Sequence, residues 1–244
     1  PGLNEGRCIG VILEWGHGRT SVQSTMSSIT SASPRFYVVI PCAGSGSRAG
    51  TVQPKQYQTV AGQPMVMHTV QALAQVPQLA SGWLVLSPDD GFVWPEAHWP
   101  ERFVRVACGG ASRAESVFNG LQAMLAAGLP ADDWVLVHDA ARCLITPEAV
   151  TALIDACKGE PVGGLLALPL PDTLKQQCPD GGGARVQATV PREDKWLAQT
   201  PQMFRLGALH AALAQVAASG FEGITDESSA MERLGLAPRL VPGS

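Results

Sequence analysis

Five short apolar runs are spaced along this chain so that most gaps between them can hold a helix. They are FYVVI from Phe36, WLVLS from Trp83, FVRVA from Phe103, WVLVHD from Trp134 and GGLLALP from Gly163. Each is rich in Val, Leu and Ile and reads as a parallel strand buried on both faces. The intervening segments carry helix signals. PMVMHTVQALAQV, from Pro64, is apolar at helical spacing. In SRAESVFNGLQAMLAAG, Ser112 is a candidate N-cap, Glu115 sits at the capping-box position and Gly128 can end the helix. TPEAVTALIDACKG has a Thr-Pro start and a Gly stop. Strands alternating with helices of this length imply an α/β fold with a doubly wound, mostly parallel sheet.

One region breaks the alternation. DTLKQQCPDGGGARVQATV, residues 172–190, holds two short alternating segments around PDGGG, which signals a hairpin with no helix between its strands. A hairpin projecting from an α/β sheet, with its arm at about 171–195, expects a partner surface. Residues 1–34 have a different character. Their Ser/Thr-rich stretch TSVQSTMSSITSASPR offers almost nothing to bury and reads as disordered. Met26 is a candidate natural start, and a cleaved organelle presequence is the other reading. Residues 35–244 read as a single domain.

Composition removes whole classes of function. A formal net charge of −4 argues against a general nucleic-acid binder. No apolar run approaches the roughly 18–20 residues that a membrane span needs. The cysteines at 8, 42, 108, 143, 157 and 178 form no C-x-x-C pair and read as reduced thiols of a cytoplasmic protein.

The first candidate site follows the first strand. Gly44-x-Gly46-x-x-Ala49 formally matches a dinucleotide fingerprint. That fingerprint needs an acid about 20 residues on, yet there is no Asp or Glu between Trp15 and Pro88. Pro54 also interrupts the expected helix. A nicotinamide site is therefore a distant reading. What remains is a flexible turn able to point backbone N–H groups at an anion, followed by Arg48 and Lys55 with no local carboxylate. Such a set suits a polyphosphate. A tight turn with two solvated cations is the plainer alternative.

WVLVHDAAR is the second constellation. Asp139 and Arg142 stand at the carboxyl end of a strand, where α/β sheets bind ligands. Asp139 can hold a metal–phosphate group or a ribose hydroxyl and Arg142 a phosphate, or the two can simply pair across the turn. His138 reads as a packed histidine. In GGASRAESV, Arg113 lies in the first turn of a helix and can face a base or a phosphate. Arg192, Thr200 and Thr225 are further possible phosphate donors, although Thr225 also reads as an N-cap.

PCAGSGSRAG…PKQY, GGASRAESV, VHDAAR, PDTLK, TVPRE…TPQMF and TDESSAME occur in that order between Phe36 and Gly243. Together they resemble the 2-C-methyl-D-erythritol 4-phosphate cytidylyltransferases of the non-mevalonate isoprenoid pathway. The resemblance implies a Rossmann-like nucleotidyltransferase fold. It also implies transfer of CMP from CTP to methylerythritol phosphate, with Mg²⁺ and release of pyrophosphate. It places CTP on Pro41, Cys42, Ala43, Gly44, Ser45, Gly46, Arg48 and Lys55 and on Gly110, Ser116, Asp139 and Ala140. The cytosine would meet the backbone near Cys42 and Gly110 and the side chain of Ser116. Arg48, Lys55 and Arg192 become the catalytic cations, with Asp139 also the candidate metal ligand. Asp139, Arg142, Thr173, Arg192, Thr200 and Thr225 become acceptor contacts. The hairpin becomes a dimer arm that lends Thr173 and Arg192 to the neighbouring subunit, so a homodimer is expected.

Two departures from the family pattern stand out. Cys42 replaces the usual Ala, with little consequence expected for a backbone contact. The lysine-bearing segment that follows LVPGS in the family does not appear before Ser244, which reads as a truncation. The competing readings are a related cytidylyltransferase using another alditol phosphate, such as ribitol phosphate, and a nucleotide-binding homologue without turnover.

Overall fold

The structure is a computed structural model that describes residues 33–44, 54–179 and 183–243. The expected disordered extension therefore lies almost wholly outside the described residues. The main sheet is built from β1 (Phe36–Pro41), β4 (Leu79–Val85), β5 (Phe103–Val106), β6 (Trp134–Val137), β7 (Gly164–Pro169), β10 (Trp196–Arg205) and β11 (Arg239–Pro242). Between them come α1 (Met65–Ala74), α2 (Arg113–Ala126), α3 (Pro147–Cys157), α4 (Leu206–Ala217) and α5 (Glu227–Glu232). Two small hairpins complete the list, β2–β3 (Thr59–Val60, Gln63–Pro64) and β8–β9 (Leu174–Gln177, Val186–Val190).

The sheet order is β11-β7-β10-β6-β1-β4-β5. β1 lies parallel to β4 and β6, β4 parallel to β5, and β7 parallel to β11. Only β10 runs against its neighbours. The reason is local. After β7 the chain leaves the sheet, forms β8–β9 and returns directly beside β7, pairing Trp196 with Pro169. A return without a crossover helix must be antiparallel. The mostly parallel doubly wound sheet is as expected; β10, β11 and the β2–β3 hairpin were not foreseen.

Each apolar strand still sorts its side chains with period two. Val38 and Ile40 of β1 and Leu136 of β6 pack with Val70, Leu73, Leu153 and Ile154 of α1 and α3. Tyr37 and Val39, with Val135 and Val137, pack on the opposite face against Val117, Leu121 and Leu213 of α2 and α4. Removing a side chain such as Leu121, which has no exposed surface, would cost about 2–5 kcal/mol.

The helix boundaries follow their caps. The hydroxyl of Ser112 accepts from the N–H of Glu115, and that of Thr146 accepts from the N–H of Ala149. Gly128, at φ +85°, ends α2 in the left-handed region where a side chain is strained. The helix start expected at Thr225 is corrected to Asp226, whose carboxylate accepts from the N–H of Ser229 while the Ser229 hydroxyl accepts from the N–H of Asp226. Asp226, one residue on, completes a reciprocal box with Ser229. The N–H of exposed Thr225 merely joins it, donating to the Ser229 hydroxyl.

Because β1, β4, β5 and β6 are parallel, the loops after all four leave the same edge of the sheet. That edge carries the candidate site.

Candidate active site

The exits of β1, β4 and β5 are bolted together by backbone. The N–H of Cys42 donates to Val85 O and that of Gly109 to Leu86 O, each at 2.8 Å. Glycine is required at 109, because a Cβ there would lie 2.2 Å from the Cβ of Ala43 and 2.8 Å from Leu86 O. Gly110 and Ser116 are joined, the N–H of Gly110 donating to Ser116 Oγ at 3.0 Å. Ser116 Oγ in turn donates to Ser112 O at 2.8 Å. The serine is buried, so it shapes the loop bearing Gly110.

Residues 55–57 form a single 3-10 turn with three different tasks. Lys55 points to a cavity of about 360 Å³. The amide nitrogen of buried Gln56 donates to Cys42 O at 3.1 Å and to Gly44 O at 2.8 Å. The Tyr57 hydroxyl donates to Asp90 at 2.7 Å, and its ring stacks on Phe92 with centroids 4.1 Å apart. Burial pushes the Cys42 thiol up to about 12, so it packs as an inert group beside the Tyr57 hydroxyl. Ser45, Gly46 and Arg48 lie outside the described residues.

The end of β6 supplies a row of alternating charges. Asp139 Oδ1 accepts from Arg113 Nε at 2.7 Å and Oδ2 from Arg142 Nε at 2.8 Å. The other two nitrogens of Arg113 grip Glu227 of α5 at 2.7 and 3.1 Å. Burial alone would raise the Asp139 carboxyl, but the two guanidiniums overcome it and hold it below the usual range. Burial pushes Glu227 up, with Arg113 pulling back. Arg113 thus has every nitrogen committed and positions Asp139; it does not offer a free fork to a phosphate. Gln202 fixes α5 in place, donating to Asp226 Oδ2 at 2.9 Å and accepting from the N–H of Ser228 at 2.8 Å.

Behind Asp139 lies a buried relay. His138 Nε2 faces Arg142 O at 3.1 Å, which can only accept, so this nitrogen carries the proton. His138 Nδ1 then accepts from Thr200 Oγ1 at 3.0 Å, and Thr200 Oγ1 accepts from the N–H of Asp139 at 3.4 Å. Burial drives the imidazole down to about 4 and keeps it neutral. The Thr200 proton is therefore spent on His138. Ala140 O accepts from Thr69 of α1 at 2.9 Å, closing the turn from below.

Lys55, Arg142, His138 and Thr200 line the same cavity, together with Met65, Ile145 and Leu166, and no Asp or Glu is among its lining residues. Two cations thus face one space with an apolar floor, and Asp139 touches one of them.

The family model for 2-C-methyl-D-erythritol 4-phosphate cytidylyltransferase matches residues 36–244. The chain belongs to this family. It is 53% identical over 212 residues to the cytidylyltransferase of that name from Laribacter hongkongensis, covering 86% of this chain and 87% of that protein. It is 58% identical over 211 residues to a bifunctional IspD/IspF enzyme of Albidiferax ferrireducens, covering 86% of this chain and spanning only 49% of that longer protein. The crystal structure of the Francisella tularensis cytidylyltransferase superposes with a TM-score of 0.71 at 30% identity, covering 86% of this chain and 91% of that one.

Not every candidate residue of this cytidylyltransferase homologue gathers at the sheet edge. Arg192 is exposed and donates to Pro171 O across the base of the β8–β9 hairpin. Thr173 is exposed on the other leg. Thr225 is exposed before α5. No hydrogen bond or ion pair among the described residues links these three to Asp139. Gln56, Tyr57, Asp90 and Glu227 were missed by the sequence reading. The motifs PKQY and TDESSAME, which hold Gln56, Tyr57 and Glu227, signalled that something was held there; nothing in the sequence pointed to Asp90.

The donor set also bears on a metal. Among the described residues no cluster of three or more His, Cys, Asp or Glu could cage an ion. Asp139 is a lone carboxylate with one lone pair left on each oxygen after its two arginines. It fits an ion held chiefly by other oxygens, as Mg²⁺ is on phosphates.

Proposed function

We propose that this chain transfers CMP from CTP to 2-C-methyl-D-erythritol 4-phosphate, with Lys55 and Arg142 as the cations that bring the two phosphates together. The observation that carries this reading is the shared cavity, lined by both cations and flanked by Asp139. The triphosphate lies along the β1 exit, where Ala43 and Gly44 present backbone N–H groups, and the charges of Arg48 and Lys55 stabilise the α- and leaving phosphates. The acceptor phosphate sits on Arg142. One of its oxygens attacks the α-phosphorus in line, and the bond to the bridging oxygen of pyrophosphate breaks. No proton needs to move, so catalysis is positioning and charge stabilisation. Asp139 is the residue that would hold the divalent metal beside the triphosphate oxygens, and such an ion supplies charge neutralisation there.

The acceptor pocket is completed by Thr173 and Arg192 of a second copy. The β8–β9 hairpin supports this: no residue of either strand is buried, Val186 is 62% exposed, and a lone two-stranded hairpin is marginal in water. The enzyme is therefore a homodimer. Five free cysteines among the described residues, and no described helix long enough to cross a membrane, support a cytoplasmic setting.

The test is pyrophosphate release from CTP and Mg²⁺ with methylerythritol phosphate, with ribitol phosphate as the parallel acceptor. Release with the first and not the second is expected. Release only with ribitol phosphate would overturn the acceptor assignment.

A further inference from the structure

We infer that Gln56 is a positioning residue for the nucleotide: it turns the first peptides after β1 so that their N–H groups face CTP. The inference rests on the cytidylyltransferase reading and adds to it a residue that touches no substrate.

The geometry is specific. Gln56 is only 8% exposed, and both hydrogens of its amide nitrogen are used, on Cys42 O and Gly44 O. Both partners are carbonyls, so nitrogen and oxygen of the amide cannot be exchanged. A trans peptide places its C=O and the following N–H on opposite sides. Drawing Cys42 O toward Gln56 therefore turns the N–H of Ala43 away from it. The N–H of Cys42 is already tied to Val85 O, which fixes the preceding peptide, so the chain enters this turn from an anchored point. Among the described residues, the N–H groups of Ala43 and Gly44 have no acceptor. They remain available as donors, and a buried amide holds one of their peptide planes in place.

The position of Gln56 in the chain adds a second consequence. Lys55 precedes it in the same 3-10 turn, and Tyr57 follows it. Tyr57 is locked by Asp90 and the Phe92 ring. One rigid turn thereby sets both the backbone donors of the β1 exit and the origin of the lysine side chain. The two halves of the phosphate site are held in one register without a direct contact between them.

The experiment measures CTP affinity by calorimetry for the unmodified chain, Gln56→Glu and Gln56→Met, at pH 8 and pH 6, with a thermal melt of each. At position 56 a carboxylate faces two carbonyls and can donate to neither; protonated, it regains one O–H donor. Gln56→Glu is expected to bind CTP about ten- to a hundredfold more weakly at pH 8, the scale of one or two buried hydrogen bonds. It should recover a large part of this at pH 6. Gln56→Met should stay weak at both. A Glu variant within twofold of the unmodified chain at pH 8 would overturn the inference. So would an equal loss at both pH values, which would mark a packing role. If the unmodified chain itself fails to bind CTP, the cytidylyltransferase reading falls and takes this inference with it; that case is distinguished because the loss is not confined to the variants.

Discussion

Replacing Arg113 with Met strands Glu227. That carboxylate is 2% exposed, and its hydrogen bonds among the described residues come from Arg113 alone. Without the guanidinium it must stay charged in a dry place or take up a proton. The second route sets the ceiling. Protonating a carboxyl of ordinary value 4.5 at pH 7 costs about 3.4 kcal/mol. Water entering where Arg113 stood, a side chain 34% exposed, lowers this. We expect about 2–3 kcal/mol of lost stability at pH 7, near the lower end for breaking a buried pair. The sign with pH is fixed. An acid whose folded value is raised destabilises at high pH and is relieved as pH falls. At pH 5 the protonation route costs only about 0.7 kcal/mol, so most of the loss should vanish. The double variant Arg113→Met, Glu227→Met should recover most of the stability at pH 7. The assay is urea denaturation followed by tryptophan fluorescence at both pH values. A loss below about 1 kcal/mol at pH 7, or the same loss at pH 5, would refute the reasoning.

Lys55→Ala should lower kcat about a hundredfold, as loss of a transition-state donor does, whereas Arg142→Ala should chiefly raise KM for the acceptor about tenfold or more; steady-state kinetics with each substrate varied separates the two. Gly109→Ala should lower Tm by about 3–10 °C, because the new Cβ would meet both Ala43 and Leu86 O, a clash of about 1–3 kcal/mol. His138 is held at about 4 in the folded chain and near 6.5 when unfolded, so its contribution is complete above pH 6.5 and is lost as pH falls toward 4, by up to about 3 kcal/mol; His138→Asn should flatten that limb in a stability–pH series. Joining Leu174 to Val190 by a short turn should turn a dimer into a monomer in light scattering, and activity should fall with it.

Much of this architecture follows from sequence pattern because its signals are local. The strand of Val38 and Ile40, the Ser112 and Thr146 caps and the Gly128 stop each depend on residues within a few positions of one another, and all hold in the fold. The β8–β9 hairpin was legible for the same reason. β10 was not, because TPQMF reads as neither period, and its pairing with β6 and β7 comes from distant partners. The N-cap of α5 was misjudged by one residue, since Thr and Asp both qualify locally and only the pairing of Asp226 with Ser229 and Gln202 chooses.

The site divides in the same way. Residue order was enough to show that a glycine-rich turn precedes Lys55 in an acid-free span, and that Asp139 and Arg142 end a strand. Tertiary structure alone decided that Arg113 is committed to two carboxylates. It alone gave the Thr200 proton to His138 and brought Gln56 to the carbonyls of Cys42 and Gly44. These contacts join residues 12 to 114 positions apart, and their strength depends on burial. No pattern along the chain encodes which buried polar group meets which; the packing of the helices over the sheet does.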